Sequence, residues 1–394
     1  MMMRGLVVMK KWLAGLMVCM MLLNFPFAPA VLAEELARES KSAILMEIST
    51  GRILYDENSH EQLAPASMTK MMPMYLVLEA IADGRLDWDQ ELHVSEHAAS
   101  LGGAQVYLEP GEVMTVRDLF KSVAIASAND SVTALGEAVS GSEAAFVELM
   151  NERAQDFGME NTVFKNPTGL TEDGHITTAY DMALLSIRLV SDFPEVLEYT
   201  SLYESYIRED SESPFWLVNT NKLVRFVDGV DGLKTGYTRD AGFCLSATAQ
   251  RGGMRVVAVV MGAPRSDVRN REIAQLMEHA FANYELHPRL EMGEIVGTGY
   301  NVLAKGRQFN VVTTQNLGIV MKIAQELAPE RYEVEILEDL TLPIMPGDTV
   351  GTLIYYYDDE IYSKVPLTVD EPVEKNSFTG LFTHVLGSLL FGNR

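Results

Sequence analysis

Cysteine is nearly missing from this chain: its 394 residues include only Cys19 and Cys244. Cys19 falls in an N-terminal segment with the marks of an export signal, so the mature chain keeps one thiol and can form no internal disulfide. Cys244 sits in the apolar-rich Phe243-Cys244-Leu245, where a small buried hydrophobe is expected rather than a reactive thiol. Basic charge is scarce as well, with 31 Lys and Arg against 55 Asp and Glu, a net charge of -24. Losing the first 33 residues, with three basic and no acidic side chains, takes this from -24 to -27. Nucleic acid is thereby excluded as a partner, and an acidic substrate gains no long-range steering. Any carboxylate must be recognised by a few local cations.

Other signatures are absent too. His93 and His97 are spaced like metal ligands, but Glu91-Leu92-His93-Val94-Ser95-Glu96-His97 lacks the His-Glu-x-x-His order of zinc proteases and reads as a solvated segment. No metal and no cofactor is expected. No Gly-x-Ser-x-Gly elbow surrounds any serine, which argues against a Ser-His-Asp hydrolase. His175, in a loop before a helix capped by Thr177 or Thr178, could line the cleft, but a structural role is favoured. There is no internal repeat and no low-complexity linker.

An apolar run from Trp12 to Phe27 follows Arg4, Lys10 and Lys11 and ends in small residues, with Val31 and Ala33 suited to cleavage after Ala33. Asn24 and Pro26 leave it short for a bilayer span, so residues 1–33 read as a signal peptide rather than a retained anchor. The mature chain exceeds one ordinary core, and two domains are expected. Residues 42–56 predict two strands around Ser49-Thr50-Gly51. A helix is expected from Ala66 to Ala82, in which Pro73 removes the bond to the Thr69 carbonyl and kinks the segment just after Lys70. Residues 115–190 look mainly helical; from Gly232 the pattern turns to strand, with 243–248 and 255–261 as a hairpin across Arg251-Gly252-Gly253. A helix from about Arg269 to Tyr284 follows. Strands at both ends with helices between predict an α+β domain over 34–290, and recurrent β-rich runs predict a small all-β domain over 291–373.

Three short motifs carry the chemistry: Ser67-Met68-Thr69-Lys70, Ser127-Ala128-Asn129 and Lys234-Thr235-Gly236. Either of the first two arises about once by chance in a chain this long, but all three in this order define a serine acyl-transfer site. Ser67 and Lys70, three apart at a helix start, share one face, so the amine can reach the hydroxyl as its base. To be neutral, Lys70 needs a lowered pKa, which burial and the Lys234 charge can supply. The Ser67 N–H can meet a tetrahedral oxyanion, and the Tyr237 N–H is the candidate second donor. Ser127 is the candidate relay of a proton to the leaving amine. Asn129 could hold Lys70 or a substrate amide, the competing reading being an ordinary helix cap. On a strand edge with the side-chain-free Gly236, Lys234 and Thr235 can face a terminal carboxylate while an extended peptide lies alongside.

The surroundings extend the pattern. Leu63 to Lys70, Ser127 to Asp130, Asn166-Pro167-Thr168-Gly169-Leu170, Thr178 to Ala183 and Asp231 to Thr238 resemble blocks of one family: the low-molecular-mass penicillin-binding proteins of the D-alanyl-D-alanine carboxypeptidase type. The resemblance implies a penicillin-binding/β-lactamase-like transpeptidase domain, an antiparallel sheet with a helical cluster, then the small all-β domain and a C-terminal amphipathic helix. It implies a serine D,D-carboxypeptidase that acts on peptidoglycan stem peptides through an acyl-enzyme on Ser67 and is inhibited by β-lactam antibiotics. It adds Arg269 as a carboxylate ligand, where the residues alone suggest a surface arginine. Ala128 departs from the family's usual Gly in a variable slot. A β-lactamase is the enzymatic alternative, but no Glu-x-x-x-Asn lies between Asn129 and Lys234 to supply a class A deacylation base. A silent wall-peptide-binding module is the non-enzymatic one.

The C-terminus carries one further pattern. Phe378, Leu381, Phe382, Val385, Leu386, Leu389 and Leu390 form one apolar stripe, which predicts an amphipathic helix over 376–394 lying in a membrane surface. The expected location is the outer face of the cytoplasmic membrane, facing the wall. The stripe has no basic polar face, which leaves docking onto the β domain or a second copy as the competing reading.

Overall fold

Ser42–Glu47 forms strand β1, and all six of its residues are buried. Burial of successive residues, apolar from Ala43 to Met46, requires cover on both faces of the sheet. The sheet's order is β2-β1-β5-β4-β3, with β2 at Ile53–Glu57, β3 at Val230–Thr238, β4 at Gly242–Arg251 and β5 at Met254–Ala263. Every neighbouring pair is antiparallel. The structure is a computed structural model and describes residues 36–209 and 211–377. The expected signal peptide and the stripe from Phe378 to Leu390 lie outside the described residues.

Both hairpins expected from sequence are present. The β1–β2 turn is organised by the buried Glu47, whose carboxylate accepts from Ser49 N and Oγ at 3.0 and 2.8 Å and from Thr50 N and Oγ1 at 2.8 and 2.6 Å. The β4–β5 turn is Gly252-Gly253, both at positive φ, as a two-residue hairpin connection requires. Strand alternation divides the sheet. Ile44, Met46, Val257, Val259 and Met261 join the main core, while Leu45, Leu245, Val256 and Val260, equally buried, face the other way.

The longer helices are α1 (Met71–Ala82), α2 (Val116–Ala126), α3 (Asn129–Ser140), α4 (Glu143–Asp156), α5 (Ala179–Asp192) and α6 (Ser266–Asn283). Thr115, Ser142 and Thr178 cap α2, α4 and α5 through their side-chain oxygens. The expected helix from Ala66 requires correction. Ala66–Lys70 is a 3-10 turn and α1 begins only at Met71. Pro73 therefore falls in the first turn of α1, where a missing N–H costs nothing, and no kink need be invoked. Two short antiparallel strand pairs, 91–93 with 113–115 and 204–207 with 215–218, were not expected from sequence.

A second, all-β part follows. Strand β6 (Tyr284–Leu290) continues directly from α6 and pairs with β9 (Leu317–Lys322), so the second sheet system begins ahead of the boundary at 290. A five-stranded sheet of order β7-β8-β12-β11-β10 completes it, from Ile295–Tyr300, Gln308–Thr313, Glu360–Val369, Gly351–Tyr357 and Glu330–Ile336. Val311, Ile319, Leu353, Val365 and Leu367 centre its own core. The architecture is thus an α+β part followed by an all-β part.

Between α4 and α5 the chain runs without regular structure, tied down by single bridges from Val163 to Ile176 and from Thr177 to Leu63. Gly169 in this loop has φ +79°, and a Cβ there would stand 1.9 Å from the Ala66 carbonyl oxygen. Gly174 has nearly the same φ, +76°, but its Cβ would meet only Lys165 Cε at 3.4 Å. Gly174→Ala should therefore cost about 1 kcal/mol and Gly169→Ala about 2–4 kcal/mol, since only the second adds a collision to the backbone strain. Urea unfolding of the two variants measures the difference; equal losses would show that close approach at Gly169 is unimportant.

Candidate active site

Ser67 and Lys70 sit on the 3-10 turn, whose i and i+3 side chains eclipse, so the two stand closer in register than on an α-helix. Ala66, just before the serine, is at φ +48°, a left-handed conformation that a non-glycine residue holds only under packing constraint. The constraint comes from two glycines. Gly169 presses on the Ala66 carbonyl, and on β3 a Cβ at Gly236 would lie 2.9 Å from the Pro65 oxygen and 3.1 Å from Ser67 N. The same approach brings the Ser67 N–H beside Gly236 of β3.

Lys70 is fully buried. Its Nζ lies 3.1 Å from Ser67 Oγ, 2.7 Å from Asn129 Oδ1 and 2.5 Å from the Thr168 carbonyl oxygen. Burial holds its pKa well below the ordinary lysine range, the Lys234 charge adds to this, and Asp130 partly opposes it. A neutral amine has two N–H donors and one lone pair. With Asn129 and Thr168 taking the donors, the lone pair is left for the Ser67 hydroxyl.

Ser127 ends α2 at φ 64°, ψ 32°, turning the chain so that α3 starts at Asn129. Asn129 is not a mere cap: its Oδ1 holds Lys70, its Nδ2 donates to Gly102 O at 2.6 Å, and its backbone N–H donates to Ala104 O at 2.7 Å. Of its two expected uses, the contact present in the structure is the one to Lys70. Beneath it the buried Asp130 accepts from the N–H groups of Val106 and Leu108 at 3.0 and 3.1 Å, anchoring the 102–109 loop.

Lys234 and Thr235 lie on β3, the sheet's edge strand. Lys234 is buried, its Nζ donating to the Thr235 carbonyl at 3.0 Å, and Thr235 Oγ1 donates to Thr220 Oγ1 at 2.7 Å. Burial, then the Arg269 charge, bring Lys234 down to about 7. Arg269, in the first turn of α6, corrects the surface reading: it is only 6% exposed, donating to the Cys244 carbonyl at 3.4 Å and to Asn270 Oδ1 at 3.0 and 2.8 Å. Burial lowers its pKa to about 10. Among the described residues neither Lys234 nor Arg269 has a carboxylate partner. Lys234 and Arg269 are thus buried basic groups that an anion could pair with.

Tyr237 is 57% exposed and stacks on Phe243 with ring centroids 4.2 Å apart. Cys244 is buried, as expected. His97 is exposed and pairs with Glu143 at 2.7 Å. His175 does not line the cleft; it is buried behind the Ser67–Lys70 turn, with Nε2 2.9 Å from Thr69 Oγ1. Sequence reasoning assigned no role to Thr168, Asp130, Thr220 or the 102–109 loop. Thr168 acts through its backbone oxygen, which leaves no side-chain signal; only its place in the Asn166–Leu170 block hinted at it.

A hydroxyl held against a buried amine, with two further buried basic groups nearby, is the arrangement of a serine acyl-transfer enzyme. Residues 30–265 match the family described as D-alanyl-D-alanine carboxypeptidase, and residues 284–375 match the C-terminal domain of penicillin-binding protein 5. The chain belongs to the D-alanyl-D-alanine carboxypeptidase family. It is similar to the D-alanyl-D-alanine carboxypeptidase DacF of Bacillus subtilis, 42% identical over 386 residues that span 96% of this chain and 98% of the relative. Among solved structures it resembles penicillin-binding protein 5 of Haemophilus influenzae, with a TM-score of 0.70 at 28% identity, covering 86% of this chain and 98% of that one. It also resembles penicillin-binding protein D2 of Listeria monocytogenes in its ampicillin-bound form, with a TM-score of 0.56 at 35% identity, over 62% of this chain and 98% of that one. This protein is a serine-type D-Ala-D-Ala carboxypeptidase and a penicillin-binding protein.

The low position of Lys234, about 7, has a measurable consequence. An anion beside it raises its pKa, so above pH 7 the complex holds a proton that the free protein lacks. Binding a carboxylate ligand at pH 8 should take up a fraction of a proton approaching one, and affinity should fall as pH rises further. Calorimetry in two buffers of different ionisation enthalpy measures this; no uptake at pH 8 would show that Lys234 does not meet the carboxylate.

Proposed function

We propose that Ser67 attacks the penultimate D-Ala carbonyl of a peptidoglycan stem peptide, that Lys70 takes the serine proton, and that Ser127 relays a proton to the departing D-Ala amine. The Ser67 and Tyr237 N–H groups stabilise the oxyanion, and Lys234, Thr235 and Arg269 hold the terminal carboxylate. The observation that carries this reading is that Lys234 and Arg269, buried basic groups with no carboxylate partner among the described residues, lie within electrostatic reach of each other, and Lys234 within reach of Lys70. Attack needs a base that is neutral, and a fully buried Lys70 is one. Extended substrate can lie along β3, because an edge strand has backbone groups to offer and Gly236 leaves room. Asn129 keeps the amine in place.

The carboxylate supplies the test. Each charge-assisted contact contributes about 1.5–3 kcal/mol, or about 10- to 150-fold in kcat/KM. Release of D-Ala from a diacyl-Lys-D-Ala-D-Ala peptide should therefore fall sharply when the C-terminus is amidated. Arg269→Ala should slow cleavage of the free acid by about that factor and barely affect the slow amide reaction. Equal losses on both would remove Arg269 from carboxylate binding. The Listeria relative's ampicillin-bound form supports extending β-lactam acylation to Ser67 here. Intact mass should rise by one penicilloyl group, and a Ser67→Ala protein that still gained it would place the nucleophile elsewhere.

The second part of the proposal is location. A signal peptide over 1–33 exports the chain, and the stripe from Phe378 to Leu390 holds it to the outer face of the cytoplasmic membrane. Chain termination after Lys375 should leave D-Ala release intact while moving the protein from the membrane to the soluble fraction. Equal vesicle binding by truncated and full-length mature protein would dismiss the stripe as the anchor.

A further inference from the structure

The loop 166–175 closes the back of the Lys70 pocket. At its start Thr168 offers its carbonyl oxygen to Nζ at 2.5 Å, and Gly169 presses on the Ala66–Ser67 peptide. Asn166 shapes this corner, its Oδ1 accepting from Thr168 Oγ1 and Gly169 N at 2.8 Å each. At its far end stands His175, 4% exposed, its ring edge-on to Phe164 at 6.0 Å. Its Nε2 meets the fully buried Thr69, the residue between Ser67 and Lys70 that has no place in the acyl-transfer chemistry. Its Nδ1 is buried with no hydrogen-bond partner.

An unsatisfied buried nitrogen costs stability that an apolar ring of similar size would not. The bond to Thr69 is what the imidazole adds. We propose that His175 is a positioning residue for Lys70: by binding Thr69 it locks the 166–175 loop to the Ser67–Lys70 turn and so keeps the Thr168 carbonyl on Nζ, with the amine lone pair directed at Ser67. The inference rests on Lys70 as the general base. Burial holds the imidazole at about 4, with Glu172 opposing and Lys165 assisting, so the lock is neutral and closed at neutral pH. The charged groups acting on Lys70 itself are Lys234 from β3 and Asp130 from α3.

Releasing the loop admits water to Lys70 and relieves the burial that is the largest cause of its low pKa. For His175→Ala, the acid limb of the penicillin acylation rate against pH should therefore move up by about half a unit or more, with acylation at pH 7 reduced about 3- to 10-fold. His175→Gln, which can still bond Thr69, should restore most of this. Thr69→Val breaks the same bond from the other side and should reproduce the shift, and it decides the matter if His175→Ala does not fold. Binding of a carboxylate ligand to β3 and α6 should stay unchanged in all three. A fall in Tm with an unmoved acid limb would reduce His175 to a packing residue and overturn the proposal. Lys70→Met acylated at the wild-type rate would instead remove the base assignment on which it rests.

Discussion

A lysine amine with no counter-anion, shut away from water, is the constraint around which this site is built. An isolated ammonium in such surroundings is strongly disfavoured, and burial holds the Lys70 pKa well below the ordinary lysine range. The amine's hydrogen-bond partners are neutral and oxygen-bearing: a hydroxyl, a carboxamide and a backbone carbonyl. The nearest charges are kept one layer back, Lys234 depressing the amine further and Asp130 restraining it. A direct carboxylate contact would have fixed the proton on Lys70 and left Ser67 without a base.

Holding those three oxygens in place requires segments far apart in the chain. Asn129 arrives because Ser127 breaks the helical run in a left-handed turn, and it stays because the 102–109 loop holds both its amide groups. That loop is anchored in turn by Asp130 within and by Arg208, whose guanidinium grips Glu112 and the Val106 carbonyl, without. Ala66, Tyr107, Ser127 and Arg208 all have positive φ. Such conformations each cost of order 1–3 kcal/mol and persist only where packing over-determines them; Ala66, beside the nucleophile, and Ser127, where the chain turns toward Asn129, are the two that touch the site.

The anion site follows a different logic. β3 is an edge strand, so its outer backbone is unpaired by other strands and can take an extended peptide. Lys234 and Arg269 reach the same region from a strand and a helix start, and each depresses its own basicity by being buried. On the proposed reading, a terminal carboxylate relieves both at once. The local field opposes the charge of the chain as a whole, as an acidic protein acting on an acidic peptide requires.

Much of this was written locally. The three motifs, the β1–β2 and β4–β5 hairpins, the buried Cys244 and the α+β order depend on side-chain type and short-range periodicity, which a single sequence displays. The start of α1 was misread because apolar spacing does not distinguish a 3-10 turn from the α-helix that continues it. The hairpin at 204–218 escaped because four-residue strands with exposed aromatics carry little alternation. Arg269 looked like a surface residue because charge alone predicts exposure; only packing beneath β4 buries it. Thr168, Gly169 and Gly236 matter through a carbonyl oxygen and through missing side chains, so their contribution exists only where another segment comes close. The sequence by itself determined which groups could do the chemistry, since nucleophile, base and cations are properties of residue types. The tertiary structure alone decided which of them meet and in what protonation state, because proximity and burial are set by contacts between residues as far apart as Lys70 and Thr168.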